Sequence, residues 1–249
     1  LLKESDCIIY NLDKMGYASD LTSIDNVLIN LNIKKGTRHK LLKTDLCNYS
    51  KTLSAVKYAN PDLIMHLAAE SHVDNSIKGP DEFIKSNILG TFNLLEAAKE
   101  HYKKLSNKRK NYFRFHHIST DEVFGTLGEK GKFNEDSKYD PRSPYSASKA
   151  SSDHLVNSWH HTFGLPTLIT NCSNNYGPWQ YPEKLIPKII INGLNNSKIP
   201  IYGDGENIRD WLYVEDHADA LIEVINKGGI GEKYCIGGNE ERSNKEIAS

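Results

Sequence analysis

The sequence predicts an α/β protein, a doubly wound parallel sheet followed by a smaller C-terminal lobe. Three observations carry this. Short apolar or aromatic runs alternate with longer segments of helical periodicity, the pattern of successive βαβ units. Polar residues gather directly after the strand-like runs, where open parallel sheets place their ligands. From about residue 174 onward Gly, Pro and Asn become frequent, as in a lobe built from irregular connections. The predicted division is residues 1–173 for the sheet domain and 174–249 mainly for the lobe, part of which returns to the sheet.

Each element has its own signal. Cys7-Ile8-Ile9-Tyr10 is a short apolar run bounded by polar residues and reads as a strand. The same holds for 63–67, for the aromatic-rich 112–119, and for 167–171. Apolar positions at helical spacing predict helices over 81–102, 144–163 and 183–194. The second is announced by Ser143-Pro144, a Ser N-cap with Pro in the first helical position. Segment 103–111 reads as a charged loop and 125–139 as a polar one, and no internal repeat is present.

Composition narrows the function classes. The 249 residues carry 31 basic against 32 acidic side chains, a formal net charge of −1, so no basic excess points to nucleic acid. No apolar run approaches a membrane span and no secretory signal is present. Cys7, Cys47, Cys172 and Cys235 are scattered without a CxxC, which predicts free, buried thiols in a reducing compartment. A soluble cytoplasmic enzyme fits these features.

Two segments carry chemistry. Tyr145 and Lys149 stand four apart on the 144–163 helix, so they share a face. A phenol titrates near ~10 when unperturbed, and a neighbouring ammonium favours the phenolate. Tyr145 is therefore a candidate base for a hydroxyl that is being oxidised. Ser119-Thr120-Asp121-Glu122-Val123-Phe124-Gly125 follows the 112–119 strand. It adds a hydroxyl and two adjacent carboxylates that hydride transfer alone does not require. Strand neighbours point to opposite faces, so both acids reach one pocket only if the chain leaves the strand there, and Gly125 permits such a turn. Together the segments point to oxidation coupled to loss of water.

Thr-Asp-Glu followed by Tyr-x-x-x-Lys resembles the extended short-chain dehydrogenase/reductase superfamily, and within it the NAD-dependent nucleotide-sugar epimerase/dehydratase family. The likeness runs along nearly the whole chain. It includes Asn11-Leu12-Asp13-Lys14, 66–74 from His66 to Asp74, Asn87 with Gly90-Thr91, 172–178 from Cys172 to Pro178, 182–187 from Pro182 to Pro187, and 209–217 from Arg209 to His217. The resemblance implies a Rossmann-like fold, NAD as cofactor, and dehydration of a nucleotide-activated glucose to its 4-keto-6-deoxy product. dTDP is the nucleotide by resemblance only, since no residue reads as base-specific.

Roles follow from the same resemblance. Tyr145 takes the 4-hydroxyl proton, Lys149 tunes Tyr145 and meets the nicotinamide ribose, and Thr120 holds the sugar oxygen. Glu122 removes the C5 proton and Asp121 protonates the departing 6-hydroxyl. The cofactor would meet Asp13, Lys14, Asp45, Leu46, Leu67, Ala68, Ala69 and Cys172 beside Tyr145 and Lys149. Asp13 stands where an acid accepts ribose hydroxyls. The nucleotide sugar would meet Ser71, His72, Asn174, Glu183, Lys184, Leu185, Tyr202 and Arg209, with Arg209 suited to a bidentate phosphate contact. A homodimer would form through the 81–102 and 144–163 helices.

The resemblance also exposes a gap. A dinucleotide-binding unit should open with a strand and a Gly-rich turn, whereas Leu1-Leu2-Lys3-Glu4-Ser5 reads like the end of the first helix. The expectation is a fragment lacking the first strand, the glycine loop and most of the first helix, and ending at 245–249 in a helix start. Phe124, Asn75 and Cys235 depart from the residues usual in the family. Cys235 in place of Asn could remove a polar contact near the diphosphate.

Other readings are less well supported. The glycines of 125–132 fit neither phosphate-loop spacing, and His66, Glu70 and His72 do not have HExxH spacing. His116-His117 and His160-His161 read as structural or solvated. Arg209 has alternative partners in Asp210 or Glu215. An epimerase or decarboxylase would keep Tyr145 and Lys149 without needing the acid pair. A binding remnant without activity is the non-enzyme alternative. A glycosidase would need its carboxylates ~5 Å or more apart across a glycosidic bond.

Overall fold

A computed structural model of the chain describes residues 1–127, 131–199, 201 and 203–249. In the first part, β1 (Ile9–Asp13), α1 (Thr22–Asn30), β2 (His39–Lys43), α2 (Tyr49–Ala59) and β3 (Leu63–His66) alternate strictly. Then α3 (Val73–Lys78) and α4 (Pro80–Phe83) lead through a π-helical turn, Ile84–Leu89, into α5 (Gly90–Lys104). After α6 (Asn107–Tyr112) come β4 (Arg114–Thr120), a 3₁₀ turn Asp121–Phe124, α7 (Pro144–Phe163), β5 (Thr167–Cys172) and β6 (Asn174–Tyr176). The last part holds α8 (Leu185–Leu194), β7 (Ile208–Tyr213), α9 (Val214–Lys227), β8 (Lys233–Ile236), β9 (Glu241–Ser243) and α10 (Asn244–Ala248).

The strands β3-β4-β5-β8 form one parallel sheet in that order, and β1 and β2 pair in parallel beside it. This is the Rossmann-like α/β class that the alternation predicts. A third sheet, β6-β7-β9, joins β6 to β7 in parallel and β7 to β9 antiparallel.

The core lies between the sheet and its covering helices. Leu94, Leu95, Ala97 and Ala98 of α5 pack with Phe113, Phe115, Val156, Leu165 and Ile169. Each large apolar side chain removed from water contributes roughly 1.5–3 kcal/mol. The helix that bears the Tyr/Lys pair spans the predicted residues, because both ends are chemically specified. Ser143 Oγ accepts the Ser146 N–H at 3.0 Å and Ser146 Oγ accepts the Ser143 N–H at 2.9 Å, a reciprocal cap. Gly164 closes it in the left-handed region, φ +68°.

Other predicted elements are adjusted. The 7–10 strand is shifted to Ile9–Asp13, and the 183–194 helix begins at Leu185. The 81–102 helix is broken by the π turn. The charged loop 103–111 contains α6, capped by Ser106 Oγ on the Arg109 N–H. Arg109 is fixed in turn by Asp62 and Asn60. The cysteines are free but only partly buried. Among the described residues no helix is long and apolar enough to cross a membrane.

Candidate active site

The site begins where β4 ends. The chain leaves the strand at Thr120, whose Oγ1 accepts the Glu122 N–H at 3.2 Å and so caps the 3₁₀ turn. That turn takes Asp121 and Glu122 out of the strand's alternation while Val123 and Phe124 are buried. Gly125 follows at φ +87°, and a Cβ there would stand 2.4 Å from the Asp140 carbonyl oxygen, so the close approach admits only glycine.

Tyr145 and Lys149 lie on the inner face of α7, 9% and 4% exposed, so the pair is turned away from solvent. The Thr120 hydroxyl lies beside Tyr145 and donates to Asp121 Oδ1 at 3.3 Å. Lys149 Nζ donates to the Ile118 carbonyl at 2.9 Å, so the ammonium is seated on the strand that delivers the acid pair. Burial, then the charge of Glu122, push the Tyr145 phenol well above its ordinary range. Burial lowers Lys149 against the raising effect of Asp153. Without the positive nicotinamide, Tyr145 is therefore a neutral phenol.

The two carboxyls have different neighbours. Burial and the neighbouring charge of Glu122 push Asp121 up to about 6, while Arg209 pulls the other way. Burial raises Glu122, opposed by Arg209 and Lys184. Both carboxyls are thus held above the ordinary carboxylate range, as proton-transferring groups in a buried site are.

Arg209 is available for this role because Asp210 is engaged elsewhere. The Asp210 carboxylate accepts the N–H groups of Gly238 at 2.7 Å and Glu240 at 2.8 Å. Asn174 opens β6 in register with Trp211 of β7. Lys184 Nζ donates to the Ser71 carbonyl and hydroxyl at 3.3 and 3.4 Å, and His72 lies 4.0 Å from Glu183. Leu185 begins α8. Tyr202 lies outside the described residues.

A cleft of about 290 Å3 opens beside these groups. It brings together Asp13, Lys14, Asp45, Leu46, Leu67, Ala68, Ala69, Ser71, Glu183 and Lys184. Asp13 Oδ1 accepts the Met15 N–H at 2.6 Å and the Ser19 hydroxyl at 3.0 Å, which fixes the carboxylate at the end of β1. Lys14 pairs with Glu70, and the Asn87 amide clamps both the N–H and the C=O of Glu70. A carboxylate at a strand end with an apolar floor of Leu46 and Leu67 suits a ribose diol and an adenine ring. Cys172 Sγ donates to the Ser119 carbonyl at 3.3 Å, and burial pushes its thiol up to about 12.

Sequence reasoning missed several members. Tyr17 and Tyr181 stack edge to face across the cleft, and the Tyr17 hydroxyl donates to Glu183 at 3.0 Å. Asp153, buried below Lys149, was signalled by the Tyr145-Lys149-Asp153 spacing of four. His66 Nε2 meets Thr91 Oγ1 at 2.8 Å, and His116 and His117 are fully buried, the structural role expected of them.

Fold and site together define a short-chain-dehydrogenase type of scaffold to which an acid pair has been added. The sequence matches the family described as GDP-mannose 4,6 dehydratase over residues 1–249. It is 52% identical over 248 residues to a dTDP-glucose 4,6-dehydratase of Escherichia coli, covering 96% of this chain and 67% of that protein. A Bacillus anthracis dTDP-glucose 4,6-dehydratase solved in complex with NAD superposes with TM-score 0.85 at 37% identity, covering 99% of this chain and 72% of that one. A Streptomyces venezuelae dTDP-glucose 4,6-dehydratase, solved with NAD and a dTDP ligand, gives TM-score 0.87 at 36% identity, covering 99% and 71%. The chain belongs to the nucleotide-sugar 4,6-dehydratase family. It spans about two thirds of the length of the curated relatives it matches.

Proposed function

We propose that this chain acts as an NAD-dependent dTDP-glucose 4,6-dehydratase. It oxidises the glucose at C4, eliminates water across C5–C6 and returns hydride to C6, as in deoxysugar biosynthesis. The observation that carries this reading is the 3₁₀ turn that sets Asp121 and Glu122 beside Tyr145, both carboxyls raised by burial.

The chemistry dictates the order. A C5 proton is not acidic until C4 is a ketone, so oxidation must precede elimination. Bound NAD supplies the hydride acceptor for C4 and the donor for C6. Tyr145, beside Thr120, takes the 4-hydroxyl proton, and Lys149 supplies the positive charge behind it. Glu122 removes the C5 proton, with Arg209 and Lys184 stabilising its charged form. Asp121, raised to about 6, gives its proton to the departing 6-hydroxyl. Each acid/base step of this kind is worth about 10²–10⁴-fold. Asp13, Lys14, Asp45, Leu46, Leu67, Ala68 and Ala69 form the cofactor cleft. Ser71, His72, Asn174, Glu183, Lys184, Leu185 and Arg209 surround the sugar nucleotide.

The wider assignments follow the same reading. Residues 1–173 serve the cofactor and 174–249 mainly the substrate, with β8 returning to the first sheet. Leu89 and Phe92 of the helical segment 84–104 and Phe163 of α7 leave apolar surface exposed, and this face supports a homodimer. Free cysteines suit the cytoplasm.

A turnover assay with dTDP-glucose and UDP-glucose side by side tests the function. A 4-keto-6-deoxy product from dTDP-glucose is expected. A C4 epimer instead would assign the chain to the epimerases, which do not need the acid pair.

A further inference from the structure

Beneath Lys149, one turn further along α7, lies Asp153, 1% exposed. It is enclosed by three elements. Tyr139 donates to its Oδ2 at 3.0 Å from the loop before α7, and Asn171 Nδ2 of β5 donates to the same oxygen at 3.0 Å. His117 Nε2 of β4 faces Oδ1 at 3.2 Å. The Asn171 amide nitrogen also donates to the Thr120 carbonyl at 3.0 Å. One carboxylate thus holds the end of β4 through Asn171, while the residue after His117 supplies the carbonyl that receives Lys149.

A buried ammonium and a buried carboxylate each cost several kcal/mol unless they compensate one another. Resting on the dehydratase reading, we propose that Asp153 is a positioning residue: the buried counter-charge that keeps Lys149 an ammonium and, through Asn171, holds Thr120 in place at the end of β4.

Proton affinities agree. Burial and the charge of Lys149 lower His117 to about 4, so the imidazole is neutral near pH 7 and cannot be the counter-cation. Burial alone would raise Asp153, yet contact with His117 and the charge of Lys149 hold it below the usual carboxylate range. The titratable groups facing Lys149 are Asp153 on its own helix, His66 on β3, His117 on β4 and Cys172 on β5. Of these, Asp153 alone is an anion at neutral pH, because burial holds Cys172 as a thiol.

The test is single-turnover C4 oxidation of dTDP-glucose with NAD, followed across pH. Asp153→Asn should slow oxidation about tenfold at neutral pH and move the rising limb up by about one pH unit, because Tyr145 ionises less readily beside a weaker cation. Asp153→Glu, which keeps the charge, should leave the limb in place. A limb unmoved in Asp153→Asn overturns the proposal. Should Asp153→Asn fail to fold, it is combined with Lys149→Met: recovery of a cooperative thermal transition supports the charge pair, and no recovery overturns it. Wild-type protein that turns over no nucleotide sugar would sink the dehydratase reading instead, and the folding comparison would still judge the pair.

Discussion

Asp121 and Glu122 are adjacent in sequence yet take opposite roles in the proposed elimination, and the division is testable at the level of single side chains. Asp121→Asn and Glu122→Gln should lose elimination by about 10²-fold or more while retaining C4 oxidation, read as cofactor reduction without release of product. Equal loss of both half-reactions would remove the acid/base assignment. Asp121 also links activity to stability. Its carboxyl sits at about 6 when folded, above the ordinary 3.8, so folding binds a proton and stability falls as pH rises between those values. Asp121→Asn should therefore be more stable than wild type at pH 8, by about 1–2 kcal/mol, and lose that advantage near pH 4 in thermal melts. Arg209→Met removes the cation that opposes both upward shifts. It should raise KM for the nucleotide sugar and shift the pH dependence of elimination upward. Much of this site was legible, because Tyr145 and Lys149 obey helical spacing and the acid pair stands at a strand end. The orientation of the acids was not, since it depends on the Thr120 cap. Nor was the freedom of Arg209, which depends on a turn at 237–240 engaging Asp210.

Among the elements, the 3₁₀ turn and α7 hold the chemistry, and both are set by a few residues. Gly125→Ala would place a methyl 2.4 Å from the Asp140 carbonyl in a left-handed conformation. A loss of roughly 2–4 kcal/mol in denaturant unfolding is expected, with elimination falling more than oxidation because the turn carries the acids. Ser143→Ala breaks the reciprocal cap of α7 and should cost about 1 kcal/mol with little change in KM. The limits of α7 were readable because Ser, Pro and Gly mark them. β2, α1 and α2 were not anticipated: His39–Lys43 alternates no polarity, and α2 carries little apolar signal beyond Leu53, Ala55 and Val56. α6 was hidden by its charge, since an exposed helix of Asn, Lys and Arg has no periodicity to read.

For the molecule as a whole, the exposed apolar face of the paired helices predicts self-association. Phe92, 39% exposed and edge-on to Trp159, belongs to it. Phe92→Asp should shift light-scattering mass from dimer to monomer, and an unchanged mass would exclude this face. The sheets have a further consequence of their own. β5 and β6 come from one stretch of chain, while β7, β8 and β9 come from a later one, and each stretch supplies strands to both the parallel sheet and the β6-β7-β9 sheet. A chain cut near Lys198 would therefore yield two pieces, neither of which completes either sheet by itself. Mixed together they should reassemble by strand exchange at two seams at once, so that the protein could serve as a split reporter whose activity returns only when both halves meet.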